Sequence, residues 1–193
     1  MVEDLSDARA HLAPTGALRV GIAVGPASSA VWTVRDAVSG KPQGVTIDIG
    51  AAMAVRLGVP LALVEHASSG AIISAAASST WDVAFTPVDE DRKRVVEFGP
   101  NYYLGVSTYM VAADSGIPIL ADVDRPGTRV VGVEDTATIR SARRTLSATT
   151  VRGVAKLDKV VALFRAGEAD AIALGGESIR SHAAAVPRCP DAL

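Results

Sequence analysis

The chain has almost no sulfur chemistry available to it. One of its 193 residues, Cys189, is a cysteine, so an internal disulfide is excluded. Histidine is scarce too: His11, His66 and His182 lie far apart, and with a single thiol they make no zinc site of recognisable spacing. Aromatic residues are only 4% of the chain, which leaves Ala, Val, Leu and Ile to build the core. A basic block is also missing. Lys and Arg number 19 against 21 Asp and Glu, a formal charge of −2, and the pI is near 5.9. That balance argues against nucleic acid as a partner. Mean hydropathy is +0.29, yet no run approaches the ~18 uncharged apolar residues of a membrane-spanning helix. Residues 1–17 (MVEDLSDARAHLAPTGA) lack the basic start and apolar stretch of a secretory signal. A cytoplasmic chain, or one whose leader preceded this numbering, both remain open.

What the chain does have is alternation. Residues 18–24 (LRVGIAV) form a short apolar run stopped by Gly25-Pro26, the pattern of a buried strand and a turn. Residues 44–48 lead into an Ala-rich helix over 49–57, with Gly58 as its stop and Pro60 beyond. A strand over 61–65, a small-residue helix over 70–79 and a strand over 82–85 follow. Residues 87–94 (PVDEDRKR) form a charged loop or helical turn, which taken alone reads as a solvated surface. Strands are then predicted over 106–113, over 129–133, from Val151 and over 169–174. Helices are predicted over 136–146, 157–165 and 178–185. This order predicts an α/β fold with mostly parallel sheets, and no internal repeat shows in the sequence. Ligands of such sheets sit beyond the carboxyl ends of strands, near helix N-termini, which singles out 24–32, 85–92 and 133–138.

Five motifs stand in a particular order: GVTIDIGAAMAVRLGV, WDVAFTPVDEDRKRVVEFGPNYY, ADSGI, RVVGVEDTATIR and FRAGEADAIAL. Together they resemble the family-3 periplasmic solute-binding proteins, the amino-acid-binding components of ABC importers, over roughly residues 17–182. The resemblance implies a type II periplasmic-binding fold, two α/β lobes joined by a hinge and closing on a ligand like a clamp. Its implied layout is an N-terminal extension over 1–16, lobe one over 17–107, a crossing strand over 108–114, lobe two over 115–183 and an atypical tail over 184–193. Family members return to lobe one through a second crossing segment. This chain ends before that return, so the expectation is a C-terminally shortened member. The implied activity is binding of a small polar solute, an amino acid or other small carboxylate, in an interlobe cleft, without catalysis, metal or cofactor. The implied partners are the small-molecule ligand and an ABC permease, with no nucleic acid. The implied state is a monomer in the periplasm or cell envelope.

The resemblance also carries residues. Arg92 stands where the family grips the ligand carboxylate, and a guanidinium is a charged two-pronged donor for that group. Without the resemblance it is one surface charge among Asp89, Glu90, Asp91, Lys93 and Arg94. Thr86 stands where a hydroxyl holds the ligand, or is a turn residue before Pro87. Thr136, Ala137 and Thr138 open the lobe-two helix, where exposed N–H groups and the positive dipole end suit an anion; simple N-capping by Asp135 or Thr136 is compatible with that. Asp135 replaces a usual glycine. Trp32 stands near an aromatic that packs on the ligand, or packs on the lobe surface. The second usual aromatic falls at about Ser69, which makes that wall small and polar. Many amino-acid binders carry an aspartate at the position of Gly175, to pair with the ligand ammonium. Glu177 is the nearby substitute, or a cap facing solvent. Two further readings stay open: an enzyme on the same fold, like the cyclohexadienyl dehydratases, with Glu177 as general acid or base, and a truncated remnant without function. A sensor acting through a partner protein is a third.

Overall fold

The computed structural model describes residues 4–25, 29 and 31–183. The tail expected over 184–193 lies outside the described residues. The chain divides into two compact units, Met1–Pro100 and Asn101–Leu193.

In the first unit, β1 (Leu18–Ala23) is the middle strand of a three-stranded parallel sheet, flanked by β4 (Leu61–His66) and β5 (Val83–Ala84). A short antiparallel hairpin, β2 (Val34–Arg35) with β3 (Pro42–Gln43), stands apart from it. The helices are α1 (Ser6–Leu12), α2 (Val45–Leu57) and α3 (Ser69–Ser74). Leu18, Val20 and Ile22 alternate along β1 and are fully buried against Ala54 and Leu57 of α2. The helix starts four residues before the sequence predicts, at Val45. It ends where expected: Gly58 takes the left-handed conformation, φ +65°, that an L side chain resists. Residues 1–16 are set aside as an extension by the sequence reading, yet Ala8 and Leu12 of α1 pack on this core. The Arg9 Nε–H donates to the Leu57 carbonyl at 2.8 Å.

In the second unit the sheet order is β6 (Ser107–Val111), β9 (Ala171–Gly175), β7 (Arg129–Val133), β8 (Thr150–Val154), with β6 antiparallel and the rest parallel. Residues 108–114, expected as a crossing strand, mostly lie in β6. Helices α4 (Ala137–Thr145) and α5 (Leu157–Arg165) connect the parallel strands, and α6 (Gly176–Ala183) follows β9. Val130 joins the buried cluster of Ile139 and Ala142 from α4. Its neighbour Val131, 1% exposed, points to the other sheet face, and α5 buries Val160 and Phe164. A strand covered on both faces reads as continuous apolar sequence, as RVVGV does.

The two units are built alike. In each, a middle strand (β1 or β7) is followed by a helix to one neighbour (β4 or β8), and the next helix leads to the strand on the other side (β5 or β9). A matched ion pair closes each sheet at its amino end. The Arg19 N–H and Nε–H both donate to Asp82 Oδ2, at 2.9 and 3.0 Å, and Nη2 reaches Oδ1 at 2.5 Å. Arg129 does the same to Asp170, at 2.8, 2.9 and 2.7 Å. The return bond, from the Asp N–H to the Arg carbonyl, is 2.8 Å in both. The repeat absent from the sequence is therefore present in the fold.

Candidate functional site

The order of strands decides where each unit can bind. Successive connections leave the middle strand in opposite directions, and ligands of such sheets sit beyond the carboxyl ends of the middle strand and the strand after the reversal. In the first unit those ends are β1 and β5. In the second they are β7 and β9. The residues that the resemblance assigns to the ligand follow these four ends: Trp32 after β1, Thr86 and Arg92 after β5, Thr136, Ala137 and Thr138 after β7, and Glu177 after β9.

In the first unit, Arg92 is not a surface charge. It opens a single 3-10 turn, Arg92–Arg94, and is 4% exposed. Its Nη1 donates to Thr86 Oγ1 at 2.5 Å and to the Pro87 carbonyl at 3.0 Å. Nη2 donates to Ser69 Oγ at 3.1 Å. The carboxylate of Asp89 stands 3.4 Å from Nε and also accepts the Arg92 backbone N–H at 3.0 Å. The cluster thus gathers groups from the ends of β4 and β5. Asp89 was not singled out in the sequence, although its spacing three residues before Arg92 is that of a helical-turn ion pair. Ser69 was noted only for the aromatic it replaces. Trp32 is held by its backbone: its carbonyl accepts from the Thr46 hydroxyl at 2.9 Å, and Thr46 is hydrogen-bonded at 2.8 Å to the buried Thr33. His66, the last residue of β4, has a buried Nε2 without a partner, and burial lowers its pKa below the ordinary imidazole value.

In the second unit, Thr136 is the N-cap of α4. Its Oγ1 accepts from the Ile139 N–H at 3.4 Å, lies 3.0 Å from Thr138 Oγ1, and donates to the Val133 carbonyl at 2.7 Å. Asp135 before it has φ +59°, a left-handed conformation that glycine adopts freely and aspartate more readily than most other L residues. Its carbonyl accepts from Arg140 Nη1 at 3.0 Å. Glu177 sits in the first turn of α6 and folds back over β9. A Cβ built on Gly175 would stand 2.8 Å from the Glu177 Cδ, nearer than real Cβ atoms approach. The carboxyl group therefore fills the space that a side chain at 175 would occupy. Tyr102 lies in its field: burial first, then the negative charge of Glu177, pushes the phenol pKa well up. Among the described residues no group of three or more His, Cys, Asp or Glu could hold a metal ion, and no helix is long and apolar enough to cross a membrane.

The model of the bacterial extracellular solute-binding proteins, family 3, matches residues 22–179. The chain belongs to that family. As a family-3 solute-binding protein it shares its fold with solved type II periplasmic binding proteins. The ancestral amino acid-binding protein AncCDT-1, a precursor of cyclohexadienyl dehydratase, is 25% identical, with a TM-score of 0.73 over 90% of this chain and 76% of that one. The arginine-bound form of a truncated ArgBP from T. maritima is 24% identical, with a TM-score of 0.71 over 91% and 81%. An amino acid ABC transporter substrate-binding protein from Streptococcus pneumoniae, bound to L-arginine, is 18% identical, with a TM-score of 0.74 over 92% and 75%. No curated protein matches the chain. The binding of a small solute is thus the activity of this family-3 protein.

Proposed function

We propose that this solute-binding protein captures an amino acid or other small carboxylate as the substrate-binding component of an ABC importer, without turnover. The observation that supports the reading is that each unit, taken by itself, carries charged and polar groups just after its strand ends. The first unit gathers Arg92, Thr86 and Ser69 at the ends of β4 and β5, a donor-rich corner for a carboxylate. The second carries the start of α4 after β7, with its outward N–H groups, and the Glu177 carboxylate after β9. Glu177 takes the place of a side chain at 175 and supplies the countercharge that a buried ammonium needs. Trp32 packs along the apolar part of the solute. Amino-acid binders, including three bound to arginine or lysine, share the fold, which favours a solute of that class. Its place is outside the cytoplasmic membrane, where an ABC permease is the partner that receives the solute.

The test is thermal unfolding with the twenty standard L-amino acids and a set of small carboxylates. A compound at 100 times its dissociation constant stabilises the folded state by about 2.7 kcal/mol, a shift of several degrees. Arg92→Ala abolishes the shift from the best compound. Glu177→Gln abolishes it for amino acids and spares carboxylates that lack an ammonium. An unchanged response in both variants refutes these assignments. Because one related fold belongs to a dehydratase precursor, prephenate and arogenate are added as substrates; turnover of either overturns the non-enzymatic reading.

A further inference from the structure

We propose that Thr46, with its hydroxyl partner Thr33, is a positioning residue for solute binding: the two buried hydroxyls clamp the backbone of Trp32 to the start of α2 and so fix where the indole stands after β1. This rests on the reading of the chain as a solute binder in which Trp32 packs on the solute, and it names the residues that hold Trp32 there.

Trp32 needs such a hold. It leads into a hairpin with only two paired positions, Val34 with Gln43 and Arg35 with Pro42, which stands apart from the parallel sheet. A two-stranded ribbon of that length is marginal in water. Its tip is tied to itself: Asp36 Oδ1 accepts from the N–H groups of Val38 and Ser39 at 3.2 and 2.7 Å, and from the Ser39 hydroxyl at 2.8 Å. Its ion pair to β4, Arg35 with Glu65, joins two exposed groups, and such pairs contribute little. These ties shape the hairpin and leave residue 32 to be fixed at its base.

Thr46 closes that base. Its hydroxyl donates to the Trp32 carbonyl at 2.9 Å, and its backbone N–H donates to the same oxygen at 3.3 Å. A hydroxyl has one proton, so in the 2.8 Å bond between the two threonines Thr46 accepts and Thr33 donates. The clamp therefore takes hold of two successive residues, by the backbone of 32 and the side chain of 33. Thr33 is 1% exposed and Thr46 2%, so water does not replace either partner, and a lost bond leaves a buried polar group unpaired. Thr46 is itself fixed. It lies in the first turn of α2, whose Ala54 and Leu57 are buried against β1, and a Cβ built on Gly50 would stand 3.2 Å from Val20 Cγ2. Helix and strand are in direct contact there. The clamp thus refers Trp32 to β1, the middle strand of its sheet. An aromatic residue held in this way loses little freedom when a solute arrives.

The experiment is titration calorimetry of the wild-type chain and its variants with the twenty standard L-amino acids. Thr46→Val keeps the shape and removes the hydroxyl; it weakens the best-bound amino acid by about tenfold. Thr46→Ser, which restores the hydroxyl, stays within about threefold of wild type. Thr33→Ala keeps the Thr46 bond to the Trp32 carbonyl, weakens binding by about threefold, and tests the clamp from its other end. The double variant separates positioning from stability: because Thr46 acts through the indole, Thr46→Val combined with Trp32→Ala binds within about twofold of Trp32→Ala alone. In fluorine NMR spectra of the chain labelled with 5-fluorotryptophan, both threonine variants move the Trp32 signal and leave the Trp81 signal in place. Losses that multiply in the double variant, an unmoved Trp32 signal, or wild-type affinity in both Thr46→Val and Thr33→Ala overturn the inference and leave the function standing. Wild-type affinity in Trp32→Ala takes Trp32 off the solute and does the same. A wild-type chain that binds none of the probes overturns the function, and this inference with it.

Discussion

Three positions show what a single residue decides. Asp135 adopts φ +59°, where most L side chains lose about 1–2 kcal/mol and aspartate less. Asp135→Gly is therefore expected to leave stability unchanged or raise it by up to about 1 kcal/mol, and Asp135→Val to lower it by about 1–2 kcal/mol, read from denaturant midpoints. Removing that carboxylate from beside the start of α4 also favours an anion there. Gly175 is constrained from the other side. Its backbone needs no special angle, but the Glu177 carboxyl occupies its side-chain space. Gly175→Ala must displace that carboxyl, and on the role proposed for Glu177 amino-acid affinity is expected to drop more than stability does. Calorimetry set beside thermal unfolding separates the two.

At the scale of the element, the two Arg–Asp clips do the work of joining strand to strand. The Asp82 carboxyl is held below its ordinary value: burial alone would raise it, and the hydrogen bonds from Arg19 outweigh that. Asp170 is lowered chiefly by its hydrogen bonds from Arg129. Both lie at the amino ends of the sheets, away from the strand ends that carry the candidate residues. Asp82→Asn is expected to lower stability by about 1.5–3 kcal/mol, since it replaces charged hydrogen bonds on a side chain 4% exposed. Solute affinity per folded molecule is expected to stay the same, because the clip stands at the amino ends of β1 and β5 and the corner around Arg92 follows the carboxyl end of β5. Chemical denaturation with parallel calorimetry checks both halves of that statement.

For the whole molecule, pH should act in two separate windows. His66 is lowered from 6.5 by burial, so the folded chain prefers it neutral. Its contribution is intact above about pH 6.5, and stability falls as pH drops below that value and the unfolded state takes up the proton first. Asp82, Asp124 and Asp170 are lowered from 3.8, so the stabilisation they give is present above that value and is lost as pH falls through their folded values. A pH series of unfolding midpoints is expected to show a shallow decline beginning near 6.5 and a steep one below about 4. His66→Gln removes the first and spares the second.

Much of this protein was legible before any coordinates. Alternating apolar runs and helical segments, Gly58 as a helix stop and the ordered motifs were enough for the α/β class and the family, because burial on both faces of a parallel strand writes itself into local sequence. The strand ends that carry the candidate residues could be picked out for the same reason. The fold alone decided what depends on distant pairing. The charged run over 87–94 reads as surface until Ser69, Thr86 and Asp89 are seen closing around Arg92. Helix α1 reads as an extension until Ala8 and Leu12 meet the core. The likeness of the two units rests on strand order and on two ion pairs whose partners stand 63 and 41 residues apart. Local composition records which residues are buried. Which of them meet is set by topology, through contacts that no stretch of sequence contains.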